Sequence, residues 1–454
     1  MATPLKITVI GAGSATFSLG LVKDLCLTEN LKGSLVSFMD INAERLENIT
    51  ALAERYSREL GADLRFERTT NRREALQDAD FVINTADAKG HYHARALRDL
   101  TANHGYYYGA VGIGAYYNFE LMLGVARDME AVCPDAWLIQ SGNPVFDGTT
   151  LMTRQTKTKV IGLCHGHYGY LNICSVCSVL GLDPSRVVWE APGVNHDIWL
   201  VNFLYEGKNA YPILDRWIAE KGPEYWETHV AERTHDIQMS RGSIAQYQMM
   251  GLMPIGDTPR QAAWWMNTGI EEKLRWFGQP WGGPDTELGR PVHVVGLEKR
   301  LKQVADTLAD QSAKVADVFG TTKTREQQVP IIDALANGVG NHFQINIPNR
   351  GELIEGVAQD VAVEVQAWID QTGVHALRPT PLPKKILQAQ IYSKVESMER
   401  GMLAYLTGDR QLLLYNVLSH PQTRSYDQAV AVLDYLLAMP GHEEAAAHFG
   451  GRKK

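Results

Sequence analysis

A thiol and an imidazole follow a short apolar segment in the first half of the chain. Residues 160–163 are apolar apart from Gly162, which lets neighbouring chains approach closely, and Cys164 and His165 come next. This pattern predicts a buried strand that delivers both polar groups to its carboxyl end, where ligands bind in an open α/β sheet. A thiolate and a nearby nitrogen can hold a divalent transition-metal ion. On this segment alone, the commoner interpretation is that Cys164 is only a buried, inert thiol.

The amino terminus predicts a second binding site. A predicted strand at 6–10 runs into a glycine loop that begins at Gly11, and a predicted helix follows at 17–27. Gly11 allows a tight turn, and Gly13 lets the backbone approach a pyrophosphate at the helix N-terminus. Thr16 stands where the dinucleotide fingerprint has its third glycine, so the loop alone is a weak signal.

An acidic residue strengthens this interpretation. The next predicted strand, 35–39, ends at Asp40, where a carboxylate favours the ribose hydroxyls of NAD and repels the 2′-phosphate of NADP. Asp40 could instead cap the following helix, but Asn42 is better placed for that role. We therefore predict an NAD site. The residues predicted to contact the cofactor are Gly11, Gly13, Ser14, Ala15, Asp40, Asn84 and Thr85.

Alternating strands and helices indicate the fold class. Further strands are predicted at 64–67, 79–84, 136–140 and 160–163, with helices at 90–103 and 120–132 between them. This order predicts an α/β fold with a Rossmann-like, doubly wound and mostly parallel sheet. We assign residues 1–185 to an NAD-binding domain. Residues 186–454 are predicted to form a larger mixed α+β, mainly helical domain for substrate binding and oligomerisation, with helices at 384–406 and 426–437 and an extended piece at 341–354.

Composition excludes several classes of function. The formal net charge of −8 over 454 residues argues against nucleic acid or an acidic membrane as the main partner. No signal-peptide pattern is present, and no apolar run approaches the ~20 residues that span a bilayer, so we expect a cytoplasmic protein. The five cysteines fit a reducing compartment. Cys174 and Cys177 form a single C-x-x-C in an apolar run and are interpreted as helix-buried thiols.

Several short motifs, taken together, resemble glycoside hydrolase family 4. The similarity extends from residue 6 to about residue 437, and no single motif is specific, but their order and spacing are. The motifs are Gly11-Ala12-Gly13-Ser14, Gly142-Asn143-Pro144, Cys164-His165-Gly166, Gly193-Val194-Asn195-His196, Pro254-Ile255-Gly256-Asp257 and Ile347-Pro348-Asn349.

The resemblance implies a glycosidase that needs NAD and a divalent metal ion, usually Mn²⁺. It implies that Cys164 and His196 are the metal ligands. The implied reaction oxidises C3 of the sugar transiently, removes the C2 proton, eliminates the leaving group, adds water and reduces C3 again. The metal ion would hold the C2 and C3 oxygens as a Lewis acid, and the hydride chemistry belongs to the cofactor.

Other roles also follow from the resemblance. Asp257 resembles the aspartate that removes the C2 proton in some relatives, although it could simply cap the segment after it. Tyr247 is the reserve candidate for the base. His165 stands where some relatives carry an acidic residue that assists the leaving group, and an imidazole can do so near neutral pH. The alternative is that His165 contacts the substrate or the nicotinamide region.

The expected substrate is a small α-glucuronide. The Cys-His-Gly form of the motif looks closest to the α-glucuronidase group of the family. Asn143 and Asn195 would bind sugar hydroxyls or fix the metal ligands, and Arg260 would clamp a substrate carboxylate. An α-galacturonidase or a neutral α-glycosidase is the alternative within the family. Outside it, the alternatives are an NAD-dependent 2-hydroxy-acid dehydrogenase and a non-catalytic NAD-sensing protein. A homodimer or homotetramer is expected.

Overall fold

A computed structural model describes residues 4–109, 111–164 and 168–450. His165 and Gly166 of the predicted site lie outside the described residues. The strands are β1 (Lys6–Ile10), β2 (Leu35–Met39), β3 (Arg65–Thr69), β4 (Phe81–Asn84), β5 (Trp137–Gln140), β6 (Lys159–Gly162), β7 (Val187–Glu190), β8 (Gly193–Val194), β9 (Asp197–Leu200), β10 (Asn202–Tyr205), β11 (Lys208–Asn209), β12 (Met253–Ile255), β13 (Asn341–Pro348), β14 (Ala362–Asp370) and β15 (Gly373–Ala376).

The α-helices alternate with these strands in the first half of the chain and predominate in the second. They are α1 (Ala15–Cys26), α2 (Ala43–Leu60), α3 (Arg72–Leu76), α4 (Gly90–Asn103), α5 (Tyr116–Val132), α6 (Val145–Gln155), α7 (Tyr168–Leu180), α8 (Tyr211–Glu220), α9 (Gly222–Thr228), α10 (Arg241–Met250), α11 (Thr258–Gln261), α12 (Ile270–Phe277), α13 (Gly289–Ala309), α14 (Val315–Phe319), α15 (Gln328–Asn337), α16 (Lys384–Ile386), α17 (Tyr392–Thr407), α18 (Arg410–Leu418), α19 (Tyr426–Leu437) and α20 (Glu443–Gly450).

The first six strands form a parallel sheet in the order β3-β2-β1-β4-β5-β6. Its central strands are buried, as expected of apolar strands covered by helices on both faces. The predicted Rossmann-like doubly wound fold is confirmed. Only strand ends differ, since β4 begins at Phe81 and β3 extends to Thr69.

The sheet continues beyond β6 into the second half of the chain. β13 pairs antiparallel with β6, and β14, β8, β9 and β12 follow in that order to complete a 12-stranded sheet, with β15 also paired to β14. The sequence did not indicate this continuation. It carries the turn between β8 and β9, which contains Asn195 and His196, towards the carboxyl end of β6.

Most of the second half is helical, as predicted. The helix expected at 384–406 is interrupted, because a π-helix at Leu387–Ile391 separates α16 from α17. Such π-helical turns are rare and often occur near functional sites. Cys177 is buried in α7 and Cys174 is partly buried there, and the cysteines of the described chain are free thiols. No helix within the described ranges is both long and apolar enough to cross a membrane.

Gly162 gives a test of the packing where β6 meets β13. A Cβ atom at this position would lie 2.9 Å from Asn346 Cβ and 2.9 Å from Val145 Cγ1, and closer still to Thr149 Oγ1. We expect Gly162→Ala to lower the free energy of unfolding by about 1–3 kcal/mol, because overpacking a buried site forces its neighbours to move. Denaturant unfolding measures this change. The control is Gly296→Ala, where a Cβ meets no atom within 4 Å, and equal stability of the two variants would contradict the packing argument.

Candidate functional site

Cys164 and His196 meet beyond the carboxyl end of β6. Cys164 Sγ lies 2.8 Å from His196 Nε2. Burial, together with the carboxylates of Asp257 and Glu364, raises the pKa of the Cys164 thiol. The structure therefore brings together the two side chains that were predicted to hold a metal ion, although they come from distant parts of the sequence.

A row of polar groups crosses the sheet next to this pair. Asn346 lies opposite Gly162 in the β13–β6 ladder, and its Nδ2 donates to Glu364 Oε2 at 3.2 Å. Asn195 Nδ2 donates to the same oxygen at 2.8 Å. Glu364 and Asn195 are only 6% and 4% exposed. Asn195, predicted to contact the sugar, thus gives its amide to a buried carboxylate and positions the turn that carries His196.

Asp257 connects the imidazole to an arginine. Asp257 Oδ2 lies 3.5 Å from His196 Nε2 and 2.9 Å from Arg260 Nη2, and Arg260 Nε donates to Oδ1 at 3.1 Å. Burial by itself would raise the pKa of the Asp257 carboxyl group. Arg260 and His196 outweigh burial and hold that pKa well below its usual range. A carboxylate of such low proton affinity is a weak base near neutral pH, so the proposed base role of Asp257 stays a prediction.

Basic side chains gather around Asp285, on the side of Arg260 away from Asp257. Arg260 Nη1 forms an ion pair with Asp285 Oδ2. Arg290 Nη2 lies 3.1 Å from Asp285 Oδ1, and Arg98 Nη2 lies 3.6 Å from Oδ2. Arg290 Nε is buried and has no hydrogen-bond partner within the described part of the chain. We call Arg98, Arg260, Lys273 and Arg290 the basic cluster.

The charges of this region favour an anion. Two adjoining cavities are lined by five basic side chains and three acidic ones, namely Arg95, Arg98, Arg260, Lys273 and Arg290 against Asp99, Asp285 and Glu287. Burial lowers the pKa of Lys273 to about 8, and burial with the neighbouring arginines lowers the pKa of Arg290 to about 10. A bound anion would relieve both effects. Sequence reasoning found only Arg260, because the other members lie on α4, α12 and α13 at no regular spacing.

The glycine loop forms a cradle that only glycine allows. Gly11 has a φ of +86°, and a Cβ there would lie 2.7 Å from Ala86 Cα. A Cβ on Gly13 would lie 2.7 Å from Asp40 Cγ. The loop leads into α1, whose N-cap is Ser14 and whose first residue is Ala15. This is the arrangement in which a helix N-terminus receives a phosphate group.

Asp40 lies at this cradle. Its Oδ2 accepts a hydrogen bond of 2.8 Å from Gly13 N–H, and its Oδ1 accepts one of 2.8 Å from Asn42 N–H. Asn42 caps α2 by accepting from Arg45 N–H, as predicted for Asn42. Asp40 therefore remains at the end of β2, where the acid of a dinucleotide site stands.

Asn84 and Thr85 shape the neighbouring loop through hydrogen bonds within the protein. Asn84 is fully buried, its Nδ2 donates to Gln140 Oε1 at 2.9 Å, and its Oδ1 accepts from Ala86 N–H. Thr85 Oγ1 donates to the Ile10 carbonyl at 3.1 Å. The contact of these two residues with a cofactor stays a prediction.

Two other predicted residues lie in different surroundings. Asn143 is exposed beside Pro144, and its carbonyl accepts from Asn118 Nδ2 at 3.0 Å. Tyr247 stacks on Tyr211 and donates its hydroxyl proton to Asp215 Oδ1 at 2.7 Å. Burial and Asp215 raise the pKa of Tyr247, which makes it a weaker candidate for the base than its sequence position suggests.

Comparison with protein families agrees with this site. Residues 6–177 match the model of a family described as "Family 4 glycosyl hydrolase", and residues 191–423 match that of the "Family 4 glycosyl hydrolase C-terminal domain". The chain belongs to glycosyl hydrolase family 4. The resemblance inferred from short motifs is thereby confirmed at the level of the family.

Relatives of this family 4 chain carry the names of enzymes for several sugars. An α-galactosidase of Bacillus subtilis is 31% identical over 232 residues, which are 48% of this chain and 51% of that protein. An α-glucosidase of Erwinia rhapontici is 27% identical over 91% of this chain and 93% of its own. An α-galacturonidase of Thermoanaerobacter italicus is 22% identical over 92% of each chain. Family membership therefore does not identify the sugar.

Solved structures share the fold of the family 4 chain. The Bacillus subtilis protein described as the glucosidase lplD superposes with a TM-score of 0.82 at 20% identity, covering 96% of this chain and 100% of that one. A 6-phospho-α-glucosidase from gut microorganisms, solved in complex with NAD and Mn²⁺, gives a TM-score of 0.78 at 19% identity, covering 96% and 98%. At these identities the likeness establishes the fold.

The Cys164–His196 pair fits a transition-metal ion. Thiolate and imidazole are both ligands for such ions, and here their donor atoms lie 2.8 Å from each other. Within the described ranges, no group of three or more His, Cys, Asp or Glu residues forms a complete metal cage. A site with so few protein ligands would leave coordination positions for water or for substrate oxygens.

We expect Cys164→Ser and His196→Ala each to remove most of the bound Mn²⁺, because each substitution deletes one of the few protein ligands. Equilibrium dialysis followed by metal analysis measures the loss, and circular dichroism checks the fold. Cys174→Ser in α7 is the matched control and should bind as the parent does. Full metal content in both site variants would show that the pair is structural.

Proposed function

We propose that this family 4 glycosidase hydrolyses small α-glucuronides and uses NAD and Mn²⁺ as cofactors. The single observation that supports the substrate class is the position of the basic cluster. Arg260, a member of the cluster, binds Asp257, and Asp257 in turn contacts His196 of the Cys164–His196 pair. A glucuronide held by its C2 and C3 oxygens near that pair presents a C6 carboxylate on the far side of the sugar ring. An anion of that kind matches the charge of the cluster.

The cradle of Gly11 and Gly13 supports the choice of NAD. A carboxylate at Asp40 accepts hydrogen bonds from ribose hydroxyls and disfavours the additional phosphate of NADP. The parallel strands end on the same side of the sheet, so the cradle after β1 and Cys164 after β6 lie along one edge. This shared edge supports the proposal that the cofactor and the Cys164–His196 pair act on one substrate.

When bound, NAD supplies a reversible oxidation at C3 of the sugar, and the metal ion supplies Lewis-acid stabilisation of charge on the sugar oxygens. The residues of the chain provide the positioning. Cys164 and His196 hold the ion, and Asp257 fixes both the imidazole and the Arg260 guanidinium. Asp257 also remains the proposed acceptor of the C2 proton. A substrate carboxylate that pairs with Arg260 would weaken the effect of that guanidinium on Asp257 and raise the pKa of Asp257 towards its usual range.

A galacturonide carries the same C6 carboxylate and differs from a glucuronide at C4, so an α-galacturonidase remains the alternative that the basic cluster also supports. A relative described as an α-galacturonidase aligns along 92% of the chain. A neutral α-glycoside would leave the basic cluster without an anionic ligand. The basic cluster favours both uronides over a neutral glycoside, and only the Cys-His-Gly form of the motif puts the glucuronide before the galacturonide.

We expect turnover of an aryl α-glucuronide to require added NAD but to produce no steady rise in NADH, since the hydride removed from C3 returns to it within one cycle. Product release and the absorbance of NADH at its characteristic wavelength are followed together in the presence of Mn²⁺ and a thiol reductant. Formation of one NADH for each product molecule would show that the protein is a dehydrogenase and not a hydrolase.

Arg290 provides the cleaner test of carboxylate recognition. Arg260 pairs with the buried Asp257, so removing Arg260 would disturb the site for every substrate. We expect Arg290→Met to lower kcat/KM for an aryl α-glucuronide about tenfold or more, because a hydrogen bond to a charged group contributes about 1.5–3 kcal/mol. The same variant should change kcat/KM for the matching aryl α-glucoside much less.

The matched control is Arg300→Met, which removes an exposed arginine from the same helix, α13. It should leave both substrates unaffected. Equal losses on the two substrates with Arg290→Met would mean that the basic cluster does not select the carboxylate. A parent enzyme that prefers the glucoside would overturn the uronide assignment.

A further inference from the structure

His196 occupies a left-handed backbone conformation that is uncommon for residues other than glycine. Val194 and Asp197 pair across the hairpin of β8 and β9, so Asn195 and His196 are the two central residues of its turn. The φ angle is +61° at His196 and is not positive at Asn195. This is the pattern of a type II turn, which normally places glycine at its second central position. A β-carbon makes the left-handed region costly, so other contacts must hold the turn.

The peptide group between Asn195 and His196 decides this conformation. Types I and II differ by a rotation of that central peptide, which reverses the direction of its carbonyl group. The two-residue turns that best match strand twist are types I′ and II′. The twist of the two strands therefore does not favour the observed turn. A contact from outside the hairpin is needed to fix the direction of the Asn195 carbonyl group.

Lys394 is that partner. Its Nζ donates to the Asn195 carbonyl oxygen at 2.7 Å. The lysine stands in the first turn of α17, directly after the π-helix at Leu387–Ile391. It approaches the turn from a helix about 200 residues away in sequence (394 − 195 = 199).

The ammonium group of Lys394 lies in acidic surroundings. Burial lowers its pKa, and the carboxylates of Asp197, Asp147 and Glu364 oppose that effect. One of these, Glu364, accepts the side-chain hydrogen bond of Asn195. Asn195 is thus held twice, by its side chain through Glu364 and by its carbonyl through Lys394.

We propose that Lys394 is a positioning residue of the catalytic site, which fixes the Asn195–His196 peptide so that the His196 imidazole faces Cys164. The inference rests on the proposed role of Cys164 and His196 as metal ligands. Without the Lys394 hydrogen bond, the central peptide can rotate and His196 can leave the left-handed region. Nε2 would then no longer point at Cys164 Sγ.

The test compares Mn²⁺ binding by the parent and by Lys394→Met, which removes the donor and leaves an unbranched side chain one atom shorter than that of lysine. Loss of an outer contact that orients a metal ligand weakens binding about 10- to 100-fold, and that is the expected result by equilibrium dialysis. Lys384→Met in α16, at an exposed position, is the matched control and should bind as the parent does. Lys394→Arg keeps a charged donor and should lose less affinity than Lys394→Met.

A crystal structure of metal-free Lys394→Met gives a readout that does not depend on metal binding. It should show a rotated Asn195–His196 peptide and a Cys164 Sγ to His196 Nε2 distance longer than 2.8 Å. If Lys394→Met does not fold, Lys394→Gln takes its place, because its uncharged amide nitrogen is one bond closer to the backbone than lysine Nζ and falls short of hydrogen-bond distance to the Asn195 carbonyl. An unchanged turn, or Mn²⁺ affinity equal to the parent, would overturn the proposal. A parent that binds no Mn²⁺ would instead refute the metal role of the pair, and the positioning role with it.

Discussion

The buried carboxylate of Glu364 is the constraint on which the site depends. It stands in β14, between the parallel half of the sheet and the hairpin that carries His196, and it accepts hydrogen bonds from Asn346 on one side and Asn195 on the other. Burial raises the pKa of Glu364, and these donors offset part of the effect. A buried polar group is costly unless it is paired. The pairing therefore fixes how β6, β13, β14 and β8 align, and with them the thiol and the imidazole.

A chain of charges extends from this point towards the region proposed to bind substrate. The order Cys164, His196, Asp257, Arg260 and Asp285 links each group to the next at ion-pair or hydrogen-bond distance. Charges coupled in this way titrate together. Binding at the Cys164–His196 pair and binding at the basic cluster are therefore expected to influence one another through Asp257 and Arg260. This coupling is consistent with the proposal that an anionic sugar is recognised beside the Cys164–His196 pair.

The sequence predicted some residues of the candidate site and missed others. Gly11, Gly13 and Asp40 could be predicted because a glycine loop between a strand and a helix has a local sequence signature. The prediction of Cys164 and His196 as a pair depended on the order of several motifs, since a cysteine or a histidine alone does not indicate a metal site. Four basic residues were missed, because each lies in a helical segment with no motif around it and the sequence does not show that the side chain is buried: Arg98, Lys273, Arg290 and Lys394. Glu364 did carry a signal, namely an acidic residue between Val363 and Val365 in an apolar strand, but it was not recognised.

The sequence by itself determined the parallel half of the sheet, its helices and the dinucleotide cradle, because apolar periodicity, caps and glycine loops act over a few residues. It also determined that a thiol and an imidazole were available. The tertiary structure alone decided that β13 and β14 join β6 to the hairpin, that Arg260 lies between Asp257 and Asp285, and that Lys394 reaches the Asn195 carbonyl. These contacts join residues far apart in the chain, and their geometry depends on strand pairing and helix packing that no local pattern encodes.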